Sequence, residues 1–182
     1  MVLRSNIFAN YSLTKIHMKK IFLIALLGMF AFESMAQAAK ASPAMSTEND
    51  LIKITYGAPS KKGREIFGAL VPYNAVWRTG ANEATEITFK KDVDFAGKMV
   101  KAGTYTLFTI PTEKEWTIIL NSELKQWGAY GYDKIKGKNV AEVKVPAGMA
   151  SEALELFTIT ATAKGFDILW DKTKVSVPVK GV

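Results

Sequence analysis

The chain has 182 residues with no cysteine and one histidine, His17, which precedes a predicted leader. Disulfides, thiol nucleophiles, His-based catalytic triads and ordinary zinc sites are therefore excluded from the exported part, and we expect no cofactor and no metal. The formal net charge is +7, but the lysines are dispersed and form no long basic run, so nucleic acid is not an expected partner.

The first predicted element is a secretory signal peptide at 18–38. Lys19 and Lys20 stand near its start, an apolar run follows at 21–32, and small residues predominate at 34–38, which is the three-part order of such leaders. The apolar run is shorter than the about 20 residues that a membrane-spanning helix needs. No stable membrane span is therefore expected after the leader is removed.

Two cleavage positions fit this leader, after Ala36 and after Ala38, and both stay open. Residues 1–17 are interpreted as an upstream extension that results from a misassigned start. The protein is thus predicted to be exported, to the periplasm or to the cell exterior. Residues 39–50 are rich in Ala, Ser, Lys and Glu without a strong apolar period, and they are predicted to form a flexible tether.

The remaining residues, 51–182, are predicted to fold as one all-β domain. Short apolar or alternating runs recur between Gly, Pro, Asn and Lys, which indicates a single antiparallel β-sandwich, jelly-roll-like or immunoglobulin-like, of about nine strands. Hairpin turns at 96–98 and 164–165 are too short for the crossover of a βαβ unit. The strands are predicted at 51–56, 84–90, 93–100, 104–110, 115–121, 139–145, 153–163, 166–171 and 174–179.

Two details refine this prediction. Pro178 marks the last strand as an edge strand, because proline has no N–H to donate to a neighbouring strand. The segment 122–137 is too long for a hairpin turn, and it is predicted to contain a short helical turn at 122–126 followed by an ordered loop.

Several motifs carry a resemblance to a known family. They read GREIFG at 63–68, VWRTGANEAT at 76–85, AGTYTLFTIP at 102–111, EWTI at 115–118 and QWGAY at 126–130. With these motifs the chain resembles the family catalogued as domain of unknown function 2911, found in exported proteins of Bacteroidetes-type bacteria, over nearly all of 51–179. The resemblance implies export and a β-rich domain. It implies no activity and no catalytic residues.

A candidate ligand site begins with the polar cluster Arg78, Asn82 and Glu83. Downstream of the leader the chain has two arginines, Arg64 and Arg78, and a guanidinium is preferred where a planar, two-pronged contact to a carboxylate or phosphate is needed. The structural alternative, which we favour at this point, is an ion pair of Arg78 with Glu83 or Glu86 that pins the loop, with Asn82 capping a turn.

The aromatic residues Trp127, Tyr130 and Tyr132 form the second part of the candidate site, in the loop 126–133. Their rings are suited to stack on the face of a sugar. The alternative, favoured at this point, is that they form a lid over an open end of the core. A ligand shared with the loop 77–83 requires the two loops to be neighbours in space.

Three functions follow from these candidates. The first is an exported, non-catalytic module that binds a small polar or carbohydrate ligand at the loops 77–83 and 126–133. The second is a carboxylate-based hydrolase acting on envelope or dietary glycans, with Glu83 as acid or base and Arg78 as electrostatic stabiliser. The third is a structural or protein-interaction module that offers the strand edge at 175–179 to a partner. No catalytic residue is assigned, and the oligomeric state stays open.

Overall fold

The computed structural model describes residues 42–182. The predicted upstream extension, the signal peptide and both cleavage positions lie outside the described residues. Along the described stretch, no helix is long and apolar enough to cross a membrane.

The described domain is all-β and antiparallel, which confirms the predicted fold class. Its strands are β1 (Ala44–Glu48), β2 (Ile52–Gly57), β3 (Glu86–Phe89), β4 (Val93–Phe95), β5 (Lys98–Val100), β6 (Gly103–Ile110), β7 (Glu115–Asn121), β8 (Asn139–Thr162) and β9 (Gly165–Gly181). Within 42–182 they form one sheet in the order β1-β2-β3-β6-β7-β8-β9-β4-β5, with β1 and β5 as its edges. A short helix, α1 (Tyr132–Ile135), and a 3₁₀ turn (Lys136–Lys138) precede β8.

The last two strands are longer than predicted. β8 has 24 residues and β9 has 17, and each covers two strands that the sequence suggests separately. β8 pairs with β7 up to Pro146 and with β9 from Ala147 onward, and its register shifts between Met149 and Leu154 and again before Thr158. These irregularities break the alternation of apolar residues, which is why the sequence pattern divides there. Packing of two separate sheets into a sandwich stays a prediction.

β9 is not an edge strand, so the prediction drawn from Pro178 is wrong. β9 lies between β8 and β4 in the sheet, and Val179 pairs with Phe95 of β4. The carbonyl of Pro178 accepts a hydrogen bond from the N–H of Ala96 at 3.0 Å. The proline lies where the strand passes from one neighbour to the other, a position at which its missing N–H is tolerated. Both ends of the segment proposed at 175–179 for a partner strand are thus already paired within the sheet, Val175 with Ala147 and Val179 with Phe95.

The predicted tether contains an ordered strand, so that prediction is wrong for 44–48. β1 pairs antiparallel with β2 along its whole length. The hydroxyl of Thr47 accepts a hydrogen bond from the N–H of Ala161 at 3.0 Å, and the side-chain amide of Asn49 donates to the carbonyl of Thr162 at 2.7 Å. Because β1 is an edge strand with mostly exposed side chains, it has no buried face that would give the sequence an apolar period.

The helical turn lies later than predicted. Residues 122–126 are not helical, whereas α1 and the 3₁₀ turn span 132–138. The buried side chain of Asn121 explains the difference, because its Oδ1 accepts from the N–H of Glu123 at 2.8 Å and its Nδ2 donates to the carbonyl of Ile135 at 2.8 Å. This side chain holds both ends of the loop at the end of β7.

The centre of the core is a cluster of aromatic side chains from Phe67, Trp77, Trp116, Phe157 and Trp170. Trp77 and Trp170 stack with ring centroids 6.1 Å apart and 14° between their planes, and Phe67 meets both of them edge to face. Phe67 and Trp77 belong to the long connection 58–85 between β2 and β3. This connection is therefore part of the core, and it fixes the segment on which Arg78 lies.

Candidate functional site

Arg78 lies on a loop that the core and the backbone hold in place. Its neighbour Trp77 is buried and exchanges two backbone hydrogen bonds with Thr109 of β6, at 2.7 and 3.0 Å. The carbonyl of Arg78 accepts a third bond from the N–H of Thr85 at 3.1 Å. Both ends of the loop are thus tied to the sheet, and the scaffold sets the position of Arg78.

The backbone of this loop adopts conformations that most residues avoid. Thr79 is fully buried at φ +56°, a rare state for a β-branched residue. Its carbonyl accepts from the hydroxyl of Thr85 at 2.6 Å, and its own hydroxyl donates to that of Thr109 at 3.1 Å. Gly80 follows at φ +149°, where a Cβ would lie 2.7 Å from the carbonyl oxygen of Gly57. Strain of this kind persists where the surroundings enforce it, and it is concentrated at functional sites.

A cleft of about 360 Å³ opens beside the loop. Three of its lining residues are basic, Lys62, Arg64 and Arg78, and no Asp or Glu of the described residues lines it. We call it the cationic cleft. Ser60 and Asn82 add neutral polar groups to its lining. The cleft therefore concentrates positive charge, and no carboxylate of residues 42–182 lines its wall.

A second cleft, of about 260 Å³, adjoins the first. We call it the apolar cleft, because Arg78 is its charged residue and the rest of its lining is Leu70, Val71, Pro72, Ala75, Val76, Trp77, Ala129 and Tyr130. Both clefts are lined by Leu70, Val71, Trp77 and Arg78. Arg78 therefore lies at their junction.

The side chain of Arg78 has no hydrogen-bond or ion-pair partner among residues 42–182. Its Nε is buried and unbonded, and the guanidinium takes part in none of the ion pairs of this region. The predicted ion pair with Glu83 or Glu86 is therefore wrong. A carboxylate oxygen of Glu86 instead accepts from the N–H of Lys125 at 2.9 Å. Proximity in sequence does not bring these groups together, because the tied loop directs Arg78 to the clefts.

Arg64, the other arginine of the cationic cleft, is bonded to the backbone. Its Nε donates to the carbonyl of Lys61 at 2.9 Å and its Nη2 to the carbonyl of Ser60 at 2.6 Å. A guanidinium has five N–H donors, so others stay available to a ligand. The backbone N–H of Lys62 donates to a carboxylate oxygen of Glu155 at 2.7 Å, which holds the turn that carries both basic side chains.

The two predicted loops are neighbours. The N–H of Ala84 donates to the carbonyl of Gln126 at 2.9 Å, and Glu83 pairs with Trp127 in an isolated antiparallel bridge. The condition for a ligand shared by the two loops is therefore met.

The structure brings some of the predicted site residues to the clefts and leaves others beside them. Arg78 lines both clefts, Asn82 lines the cationic cleft and Tyr130 the apolar cleft, whereas Glu83 and Trp127 line neither. Tyr130 is 85% exposed and Trp127 is 60% exposed. Rings that close a core are buried, so the lid alternative does not describe these two.

Two of the predicted residues have structural contacts. The side-chain amide of Asn82 donates to the carbonyl of Ser42 at 3.2 Å, and its φ of +62° suits asparagine better than most residues. The ring of Tyr132 packs against Phe108 at a centroid distance of 5.2 Å, and its hydroxyl accepts from the amide of Asn139 at 2.7 Å. Tyr132 thus supports the 126–133 loop from the inside.

Sequence reasoning does not identify Lys62, Leu70 and Val71 as site residues, and it singles out Arg64 without placing it in the site. These residues lie in consecutive turns of the connection 58–85, whose position over the aromatic cluster is a tertiary property. The signal in the sequence is that Arg64 and Arg78, the two arginines of residues 39–182, both lie in this connection.

The clearest pKa shifts lie next to the β4–β5 hairpin, outside both clefts. The ammonium of Lys101, 2.8 Å away, and the N–H of Ala102 hold the pKa of Asp92 below its ordinary value, and Asp92 in turn raises the pKa of Lys101. In the part of the chain that the structure describes, no group of three or more His, Cys, Asp or Glu residues could hold a metal ion.

Residues 37–179 match the model of a family whose description reads "Protein of unknown function (DUF2911)". The matched region includes every described residue that lines the two clefts. No curated protein and no solved structure matches the chain.

Proposed function

The chain belongs to the DUF2911 family of proteins of unknown function, and we propose that it is an exported, non-catalytic module that binds a small polar ligand in the two clefts around Arg78. The observation that carries this proposal is the buried, unbonded Nε of Arg78 on a loop held by the scaffold. Buried N–H groups nearly always have a partner in folded proteins. A ligand acceptor supplies that partner.

The dimensions of the clefts support a small ligand. Their volumes of about 360 and 260 Å³ are similar to those of small-molecule sites, which span about 300–1,000 Å³. Few polar groups converge on the junction, and the exposed ring of Tyr130 provides a flat apolar face of the kind that packs on sugar rings. A carbohydrate bearing a polar substituent is one ligand that fits this description.

The two alternatives have weaker support. A glycan hydrolase needs two carboxyl groups about 5–9.5 Å apart across its cleft, and neither cleft has a carboxylate among its described lining residues. A protein-interaction module needs an accessible surface, and for a strand partner the sheet offers the edges β1 and β5 rather than β9.

A thermal-shift screen against glycans, sugar acids and other organic anions tests the proposal. A ligand present at a hundred times its Kd stabilises the folded protein by about 2.7 kcal/mol. We expect at least one class to raise the Tm of the parent protein and not that of Arg78→Ala.

The matched control is Lys98→Ala, which removes a positive charge from β5, outside both clefts. It should respond to the ligand as the parent does. An unchanged Tm across the whole panel, or an equal shift in Arg78→Ala, would contradict the proposed function.

A further inference from the structure

We propose that the ligand is an amphipathic oxyanion, with a carboxylate or phosphate head group in the cationic cleft and an apolar ring or chain in the apolar cleft. This inference rests on the proposed binding function and specifies the chemistry of the ligand.

The charge of the cationic cleft requires an anionic head group. Lys62, Arg64 and Arg78 line it without a described carboxylate, and none of them takes part in an ion pair within 42–182. The neighbouring Lys61, by contrast, is paired with Asp171 at 2.6 Å. A neutral ligand would form no ion pair with these three side chains, whereas an oxyanion pairs with them and accepts the N–H of Arg78.

The geometry of a guanidinium favours a carboxylate or phosphate over a monatomic anion. Its N–H groups form a planar fork that matches two oxygens of one head group, and such charge-assisted bonds are stronger than neutral ones. Because the loop fixes the backbone of Arg78 on both sides, the backbone needs no further ordering when the head group binds. Arg78 is therefore the primary contact, and Lys62 and Arg64 add charge.

The wall of the apolar cleft favours an apolar ligand body, in contrast to the anionic head group. Leu70 is 44% exposed and Tyr130 is 85% exposed, and covering apolar surface of this kind is favourable. The ring of Tyr130 packs directly over Gly128, because a Cβ on Gly128 would lie only 2.7 Å from the ring atom Cε2. The glycine thus allows one side of the ring to lie against the backbone while the ring stays largely exposed.

The position of Arg78 connects the two parts. It lines both clefts together with Leu70, Val71 and Trp77, so a head group bound to it lies directly beside the apolar cleft. The apolar body must therefore be attached close to the anionic group. Arylacetic acids and aryl phosphates have this arrangement.

Isothermal titration with matched compounds tests the inference on the unaltered protein. Phenylacetate carries both parts, acetate only the head group, and phenylacetamide the same ring with a neutral head. Phenyl phosphate and inorganic phosphate form the second set, which distinguishes the two head groups. We expect phenylacetate to bind at least about tenfold more tightly than acetate, or phenyl phosphate than inorganic phosphate, and this factor is equivalent to about 1.4 kcal/mol. If the head group is a carboxylate, phenylacetate should also bind more tightly than phenylacetamide.

Two variants assign the parts to residues. Arg78→Gln should reduce the affinity for the anionic compound by at least about tenfold while leaving any binding of phenylacetamide unchanged. Tyr130→Ala should reduce the affinity for the aryl compound and leave that for the head group alone unchanged. Lys98→Ala serves as the control for a general effect of charge and should bind like the parent.

The outcomes separate this inference from the proposed function. If phenylacetamide binds as tightly as the anions, the inference of an anionic head group is wrong, whereas the proposed binding function at the clefts is retained. If acetate or phosphate binds as tightly as its aryl form, the apolar body is wrong. If none of these compounds binds at millimolar concentration, the inference is overturned, and the result of the wider ligand screen then decides the proposed function.

Discussion

The two loops that meet beside the clefts are built in opposite ways. In the loop 77–83, Trp77 is buried in the aromatic core and Thr79 is fully buried with a left-handed backbone. In the loop 126–133, the rings of Trp127 and Tyr130 are largely exposed. The first loop therefore presents a charge from a backbone that the core holds in place, and the second presents exposed aromatic surface. A binding site benefits from both, since a preorganised polar contact gives specificity and rings give contact area.

Removal of the buried ring of Trp77 should cause the largest loss of unfolding free energy. Trp77→Ala deletes a ring in contact with Phe67, Phe157 and Trp170, and truncations of this kind cost about 3–5 kcal/mol. Trp127→Ala removes a ring of the same size from the exposed loop and should change the unfolding free energy by less than about 0.5 kcal/mol. Denaturant unfolding measures both. Equal destabilisation would remove the contrast between the loops.

A substitution at Gly80, in the strained loop 77–83, should cause an intermediate loss of unfolding free energy. Gly80→Ala places a Cβ 2.7 Å from the carbonyl oxygen of Gly57 at φ +149°, and we expect a loss of about 1–3 kcal/mol. Gly137→Ala is the control, because a Cβ there meets nothing within 4 Å. The same unfolding experiment compares the two variants. A tolerated Gly80→Ala would show that the loop 77–83 yields more easily than its contacts indicate.

Replacing the more exposed arginine, Arg64, should destabilise the protein more than replacing the less exposed one, Arg78. Arg64→Met removes two hydrogen bonds to carbonyl groups and should cost about 0.5–1.5 kcal/mol. Arg78 is less exposed, but its side chain forms no hydrogen bond or ion pair with the rest of residues 42–182. The unfolding free energy of Arg78→Met should therefore stay within about 0.5 kcal/mol of the parent value. Midpoints of unfolding in the absence of ligand measure this order. A larger loss for Arg78→Met would assign it a structural role.

The smallest effect concerns a pair outside both loops. The folded-state pKa of Asp92 lies below its ordinary value because of Lys101 and Ala102, so its contribution to stability is present above the unfolded-state pKa and is lost as the pH falls through the folded-state value. The stability difference between the parent and Asp92→Asn should therefore disappear in acid, and it should be small because the pair is exposed. Unfolding midpoints at a series of acidic pH values measure it. Ligand affinity should not change, and a change would connect this hairpin to the clefts.

The sequence predicts the interior strands β6 and β7 well and the edge strand β1 poorly. β7 is predicted with its observed bounds, and β6 within one residue, because both strands have buried residues that mark them. β1 has no buried face to produce a pattern, so the sequence gives no sign of it. The assignment of Pro178 to an edge fails for a different reason, since the neighbours of a strand are set by the topology of the whole sheet.

For the candidate site, the sequence identifies unusual residues but not their partners. Arg78 and Tyr130 stand out as a rare arginine and a loop aromatic, and the structure brings both to the clefts. The ion pair predicted for Arg78 is wrong because spacing in a loop does not determine distance. Leu70 and Lys62 are ordinary in sequence, and they become lining residues only when the connection 58–85 folds over the aromatic core.

The central claim is that the N–H groups of Arg78 are held ready for an oxyanion. The Nε–H resonances of arginine in a ¹H–¹⁵N spectrum report this directly, because the chain contains few arginines and Arg78→Lys identifies the relevant signal. We predict that phenylacetate or phenyl phosphate shifts the Arg78 signal strongly and the signal of Arg64, whose Nε is bonded to the carbonyl of Lys61, much less, while phenylacetamide shifts neither. An Arg78 signal that stays in place when either anion binds would contradict the claim.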